Sequence, residues 1–137
     1  MIIETKFTAT LEKGEVSAIL MRPENAEHLL VLGHGASSNM RTPMLTTIAE
    51  NLAEQGIATF RYNFPYSEKG GGRNSQATCL ETIRSAVKAA GEAAPGLPIL
   101  AGGHSFSGRM TSTTQSELPI EGVRGFGIFR VSAASGR

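Results

Sequence analysis

Residues 99–108 read Ile-Leu-Ala-Gly-Gly-His-Ser-Phe-Ser-Gly, an apolar run followed by small residues around Ser105. A buried strand, a sharp turn and a helix are the setting of the G-x-S-x-G motif, in which the turn lifts the serine hydroxyl above a sheet. The helix that follows would direct backbone N–H groups at negative charge developing on a substrate oxygen. Because the fifth position is Ser107 instead of glycine, the stretch also fits a turn whose small residues serve packing alone.

Similar apolar runs recur along the chain and predict strands that are buried on both faces of a sheet. They cover residues 29–32, 57–60, 99–101 and 123–129. Residues 2–8 and 15–22 instead alternate apolar and polar side chains around a short turn that ends in glycine. This alternation predicts an antiparallel hairpin with one solvated face.

Apolar residues at helical spacing fill the intervals between the buried runs. Capping residues, proline and glycine bound three predicted helices, from Thr42-Pro43 to Gly56, from Ser75 to Pro95, and from near Ser107 to before Pro119. Strands that alternate with helices predict an α/β fold with three layers and mainly parallel pairing after the N-terminal hairpin. Residues 67–74, with three consecutive glycines, are predicted to form the most mobile loop.

The composition limits the classes of function that the chain can have. Its 137 residues correspond to a single domain over 1–137, and 13 Lys and Arg against 12 acidic residues leave a net charge of +1, which argues against nucleic-acid binding. The one cysteine, Cys79, excludes an internal disulfide, and we expect it to be an inert thiol. With neither a signal peptide nor a membrane-spanning apolar run, the chain is predicted to be cytoplasmic and to have no membrane partner.

A second glycine motif, Gly33-His34-Gly35-Ala36, directly follows the run at residues 29–32. Such a loop is the usual source of one backbone N–H of an oxyanion hole, although glycine-rich strand ends also bind phosphates. The pattern G-x-G-x-x-G fails because its third glycine would fall on Ser38, and G-K followed by Ser or Thr does not occur. A nucleotide site is therefore disfavoured.

Four ordered stretches carry a family resemblance that covers about residues 28–128. They are His34-Gly35-Ala36 with Met40 and Pro43-Met44-Leu45, Arg61-Tyr62-Asn63-Phe64-Pro65-Tyr66, Gly102-Gly103-His104-Ser105-Phe106-Ser107-Gly108-Arg109-Met110, and Gly122-Val123-Arg124-Gly125. In them the chain resembles the α/β-hydrolase superfamily in its dienelactone-hydrolase-like branch. It is most similar to the subgroup of testis-expressed-protein-like hydrolases and of hydrolase-like proteins associated with a lysine acetyltransferase complex.

The resemblance implies a serine hydrolase that acts on ester, lactone or similar acyl bonds of a small molecule. It implies Ser105 as the nucleophile and the backbone N–H groups of Phe106 and Ala36 as the oxyanion hole. His34, Ser37 and Arg109 are the candidate substrate-binding residues, and no metal or organic cofactor is required. The chain departs from the subgroup in having His104 where lysine is usual and Ser107-Gly108 where two glycines are usual.

The catalytic partners of the serine are incomplete. In this superfamily an acid and then a histidine follow the nucleophile, but no histidine follows Ser105, and the acids Glu117 and Glu121 precede the last predicted strand. His28 is expected at the surface, and the neighbouring His104 is poorly placed to act as a base. We therefore expect little or no triad-type turnover from this chain, and a non-catalytic scaffold or interaction module is the alternative.

The tail indicates why the partners are missing. The resemblance implies that the last strand continues as F-G-F-P-L-H-P, whereas residues 129–137 read Phe-Arg-Val-Ser-Ala-Ala-Ser-Gly-Arg. Synonymous codons exist for this tail in which the deletion of one cytosine restores the family pattern. The interpretation is a reading-frame change near Phe129 and a C-terminally truncated domain. Truncation would leave a bare sheet edge, so we expect the chain to associate with itself.

Overall fold

The computed structural model describes residues 1–104, 106–114, 120–123 and 128–131, and its first two strands form the predicted hairpin. Strand β1 (Ile2–Thr10) pairs antiparallel with β2 (Gly14–Met21), with Ile2 opposite Met21. Gly14 has φ +83°, a conformation that favours glycine, and it opens the second strand of the hairpin. The period-2 alternation near the N-terminus therefore predicts this hairpin correctly.

The three apolar runs that follow form the centre of the sheet. Strand β3 (His28–Gly33) pairs parallel with both β4 (Ile57–Tyr62) and β5 (Ile99–Gly103), and β4 pairs antiparallel with β2. On β3 the side chains of Leu29 and Val31 enter one core cluster and those of Leu30 and Leu32 enter the other. The central strand is thus apolar on both faces, as its continuous apolar sequence requires.

Helices cover both faces of the sheet. Helix α1 (Pro43–Glu54) packs Leu45 on the Leu30 side, and α3 (Gln76–Ala93) packs Ile83 and Val87 on the opposite side. A short helix, α2 (Pro65–Lys69), follows β4, and α4 (Phe106–Thr113) follows β5. The predicted α/β class with three layers is confirmed, and the sheet is mixed rather than mainly parallel over its whole width.

The strand predicted over residues 123–129 is replaced by two strands. Strands β6 (Ile120–Val123) and β7 (Ile128–Val131) pair antiparallel with each other, and β7 is antiparallel to β5. Residues 124–127 between them are not among those described. The sequence of this short interval contains two glycines, which weaken a continuous strand, and so short a connection permits only antiparallel pairing. Among the described residues the sheet order is β1-β2-β4-β3-β5-β7-β6.

The start of the predicted loop 67–74 is helical. Residues 65–69 form helix α2, since Pro65 occupies its first turn and Gly70, with φ +84°, ends it.

In the described part of the chain, no helix is both long enough and apolar enough to cross a bilayer.

Candidate active site

The two glycine motifs lie side by side at the carboxyl edge of the parallel strands. Gly33 at the end of β3 is the register partner of Gly103 at the end of β5, and the His104 N–H donates to the Gly33 carbonyl over 3.2 Å. The chain leaves β3 as the loop 33–40, called here the β3 loop, and leaves β5 toward α4. Loops from neighbouring parallel strand ends form the usual ligand crevice of an α/β sheet.

Close packing between the two strand ends explains the serine at position 107. The Ser107 side chain is fully buried against Gly33 and Gly103, and a β-carbon added at Gly33 would lie 2.7 Å from its hydroxyl oxygen. A β-carbon at Gly103 would collide with the same oxygen. Ser107 thus fits where the family has glycine because the two residues that it packs against have no side chains.

Ser105, the predicted nucleophile, lies outside the described residues. The next residue, Phe106, is the first residue of α4, so its N–H is one of the first-turn donors that have no acceptor within the helix. The Phe106 ring is buried at 5.6 Å from the Phe64 ring, and the guanidinium carbon of Arg73 lies 4.9 Å from its centre. This packing fixes the start of α4.

His34 lies wholly inside the protein. Its Nδ1 is 2.7 Å from the Gly35 carbonyl oxygen and its Nε2 is 2.8 Å from the Ser67 hydroxyl. Burial lowers the pKa of His34, and the contact with the Gly35 carbonyl opposes this shift. Since both ring nitrogens are occupied by protein groups, the geometry fits a role in holding the β3 loop and does not offer the ring to a substrate.

Ala36 and Ser37 border an open cleft of about 570 Å³. Its walls are formed by two segments that the fold brings together: Ala36, Ser37, Ser38, Tyr66, Ser67, Gly71, Gly72 and Arg73. Arg73 is the only charged residue among them. The Tyr66 hydroxyl donates to the Ala36 carbonyl over 2.7 Å. Among the three candidate substrate-binding residues, Ser37 is the one that lines this cleft, and its side chain is exposed.

The other residues singled out in the sequence are not among those that line this cleft. Arg109 is exposed on α4, and His28 is exposed at the start of β3, as predicted. The His104 ring is partly buried, with Nδ1 3.0 Å from where a β-carbon of Gly35 would stand. Cys79 is buried in α3, and burial raises the pKa of its thiol, which agrees with the expected inert role.

The segment after β4 forms one wall of the cleft, from Tyr66 to Arg73, although the sequence favoured simple packing for its aromatic residues and left pocket lining as the alternative. This segment follows β4, and it reaches the β3 loop because β4 is the parallel neighbour of β3. The alternating Tyr62, Phe64 and Tyr66 were a usable signal, but the strand order that brings them to the cleft is not readable from their spacing.

Comparison with known proteins gives a family and several solved structures with a similar fold. A family profile described as "Alpha/beta hydrolase domain" matches residues 26–129. No curated protein sequence matches the chain significantly. Among solved structures, the chain is similar to XC6422 from Xanthomonas campestris, an α/β serine hydrolase without a lid, with a TM-score of 0.70 and 15% identity over 85% of this chain and 56% of that one.

Two further structures show the same likeness. Dienelactone hydrolase from Anabaena variabilis has a TM-score of 0.70 and 17% identity over 86% of this chain and 59% of its own. Est1E from Butyrivibrio proteoclasticus has a TM-score of 0.68 and 20% identity over 85% of this chain and 46% of its own. The chain thus spans about half the length of these structures, and identities this low establish the fold alone.

Proposed function

Because the chain belongs to the α/β-hydrolase family, we propose that it carries the nucleophile and oxyanion half of a serine hydrolase that cleaves ester, lactone or similar acyl bonds. The observation that supports this most directly is the pairing of Gly33 with Gly103. It brings the β3 loop and the start of α4 to one edge of the sheet, as the two-loop oxyanion hole of this family requires.

The chemistry would begin with attack of the Ser105 hydroxyl oxygen on the acyl carbon of a small ester-like substrate. The carbonyl oxygen would take up negative charge and accept hydrogen bonds from the N–H groups of Phe106 and Ala36. Ser37 and Arg109 remain candidate substrate contacts. For His34, which is buried with both ring nitrogens bonded to protein groups, we propose an indirect role in holding the β3 loop.

The serine proton needs a base, and no histidine follows Ser105 in this chain. We propose that a histidine and an acid from outside the chain complete the triad, and that the chain alone turns over slowly or not at all. The alternative is a scaffold that keeps the hydrolase shape without catalysis. No metal or organic cofactor is needed for the proposed reaction.

A fluorophosphonate probe separates these two functions. The serine oxygen attacks phosphorus, fluoride leaves, and the proton passes to solvent, so a competent nucleophile becomes covalently phosphonylated. Because the chain supplies no base, we expect slow labelling at Ser105 at high probe concentration, detected by peptide mass spectrometry. It should be lost in Ser105→Ala and kept in Ser85→Ala, since the Ser85 hydroxyl donates to the Ala9 carbonyl and does not line the cleft. A folded sample that is not labelled at high probe concentration would favour the scaffold.

We also propose the finer assignment to the subgroup of testis-expressed-protein-like hydrolases, with a reading-frame change near Phe129. The four ordered motifs and the tail sequence support it. Sequencing the gene beyond codon 137 tests it: family-like coding in the shifted frame is expected, and its absence would contradict the frame change.

Self-association through a sheet edge and a cytoplasmic location are further proposals. Strands β1 and β6 are the two ends of the described sheet order, and Ile2 and Ile3 on β1 are exposed. Light scattering coupled to size-exclusion chromatography should show a mass that rises with concentration. A constant monomer mass would contradict association, and fractionation of cells would check the location.

A further inference from the structure

One hydrogen bond determines the direction of the peptide that would supply an oxyanion donor. The Gly35 carbonyl and the Ala36 N–H belong to the same planar trans peptide, so they point in opposite directions. His34 Nδ1 lies 2.7 Å from the Gly35 carbonyl oxygen. A ring that holds the carbonyl therefore also sets where the Ala36 N–H points.

The bonding pattern fixes the tautomer of the ring. A carbonyl oxygen can only accept, so Nδ1 carries the proton and donates it. The pKa of His34 is lowered by burial, so the ring is neutral near pH 7 and Nε2 has a free lone pair. The Ser67 hydroxyl at 2.8 Å and the more distant Phe64 N–H at 3.4 Å are the donors at Nε2.

The hydroxyl of Ser67 has one proton and two acceptors within reach. Besides Nε2, the Phe64 carbonyl oxygen lies 2.9 Å from Ser67 Oγ. With Nδ1 protonated, Nε2 cannot donate, and its other donor is the Phe64 N–H at 3.4 Å. The Phe64 carbonyl, which the Ser67 hydroxyl can also reach, already accepts the N–H groups of Ser67 and Glu68, each over 3.0 Å. The proton of Ser67 is therefore needed at His34 and not at the carbonyl.

Two further bonds hold the β3 loop from the same side. The Tyr66 hydroxyl donates to the Ala36 carbonyl over 2.7 Å, and the Met40 N–H donates to Asn63 Oδ1 over 2.9 Å. Tyr66 is only 8% exposed, and burial raises the pKa of its hydroxyl, so the hydroxyl keeps its proton. Residues 63–67 thus hold the loop at several points, and among their side-chain hydrogen bonds that of Ser67 acts through the ring.

We propose that Ser67 is a positioning residue, whose hydroxyl locks His34 in the Nδ1–H tautomer and so aims the Ala36 N–H into the site. The role of that N–H in catalysis rests on the proposed hydrolase function. The tautomer and the peptide orientation do not depend on it. Hydrogen-bond donors that are held in position before the reaction are the main source of oxyanion stabilisation, so a fixed Ala36 N–H would favour the proposed reaction.

Two measurements test the proposal separately. Nitrogen-15 NMR of the His34 ring should show protonated Nδ1 and bare Nε2 at pH 7.5 in the wild type. In Ser67→Ala the tautomers should mix and the Ala36 amide should exchange with solvent several-fold faster. Ser67→Thr, which keeps the hydroxyl, should restore both signals, and Ser85→Ala should change neither.

The rate of fluorophosphonate labelling gives the functional measurement. Loss of an oxyanion donor costs about 10²–10³ in rate, and a misdirected donor should cost less, on the order of tenfold, in Ser67→Ala. Ser67→Thr should label at nearly the wild-type rate, and circular dichroism should confirm that each variant is folded.

The outcomes are distinguishable. A wild-type ring protonated on Nε2, or unchanged NMR signals and exchange in Ser67→Ala, would overturn the proposed lock. A lost tautomer with an unchanged labelling rate would overturn the positioning role. Absence of labelling in the wild type would count against the hydrolase function, while the NMR signals would still decide the lock. If Ser67→Ala does not fold, the wild-type tautomer and Ser67→Thr decide it.

Discussion

A β-carbon added at Gly33 would lie 2.6 Å from the β-carbon of Ser107, well inside van der Waals contact. The ends of β3 and α4 therefore meet where only a glycine fits. Gly33→Ala should destabilise the protein by about 1–3 kcal/mol through overpacking. Urea unfolding followed by circular dichroism would measure the change.

The double variant Gly33→Ala with Ser107→Gly provides the control. Removing the serine side chain relieves two of the three close contacts, since the Tyr62 hydroxyl at 2.9 Å remains. The double variant should be more stable than the sum of the single effects predicts. Strictly additive losses would show that the two residues do not compete for this space.

The N-caps of α1 and α3 should respond differently to the same kind of change. Ser75 Oγ accepts the Thr78 N–H over 3.2 Å, so Ser75→Ala should cost about 1 kcal/mol of unfolding free energy. Thr42 caps α1 without a side-chain bond, and its hydroxyl oxygen is buried without a partner in the described structure. Thr42→Val should therefore be neutral or stabilising. Equal losses in denaturant titrations would contradict this difference.

Stability should fall on mild acidification because of His34. Its folded-state pKa lies below the ordinary value of 6.5, so between these two pKa values the unfolded chain binds a proton and the folded protein does not. The stability of the folded protein is therefore highest above about pH 6.5, and it declines as the pH falls toward the folded-state pKa. Unfolding free energies at pH 7.5 and 5.5 would measure it.

Two variants check the assignment to His34. His28→Gln, which changes an exposed histidine, should keep the slope. His34→Asn should have a lower stability that varies less between these two pH values. If His34→Asn has the wild-type slope, the titrating group is another residue.

Glu68 links α2 to the hairpin, and its ionised carboxylate should stabilise the folded protein at neutral pH. Burial opposes its ionisation, but hydrogen bonds from Asn63 and from the N–H and hydroxyl of Ser17 outweigh it and lower the pKa. Glu68→Gln should cost about 1–3 kcal/mol at pH 7, since it loses charge-assisted bonds.

The pH dependence has a definite sign here too. A lowered folded-state pKa gives stability that is present above about pH 4.5 and is lost as the pH falls further. The difference between wild type and Glu68→Gln should therefore shrink at pH 3. Glu81→Gln on α3 is the matched control, because Glu81 is exposed. A difference independent of pH would remove the ionised carboxylate from the explanation.

Periodicity was sufficient for most elements of this fold. The alternation in β1 and β2, the continuous apolar run of β3 and the capping serine of α3 each reflect local physics, and the structure has these elements where the sequence predicts them. The strand predicted over 123–129 was wrong, because a run of apolar residues does not reveal whether the chain turns back within it.

The site was less predictable than the fold. The two glycine motifs could be read directly, because each follows a buried strand. The contribution of Tyr66 and Ser67 could not, since it depends on β4 lying beside β3 and on a helix of five residues. The fixed tautomer of His34 likewise follows from atoms that are distant in sequence.

The Phe64 ring contacts both halves of the candidate site, with its centre 5.1 Å from that of the His34 ring and 5.6 Å from that of the Phe106 ring. Both contacts are edge-to-face, and the Phe64 side chain is fully buried. One aromatic side chain is therefore shared by the β3 loop and the start of α4. A smaller side chain at position 64 would remove packing from both halves at once.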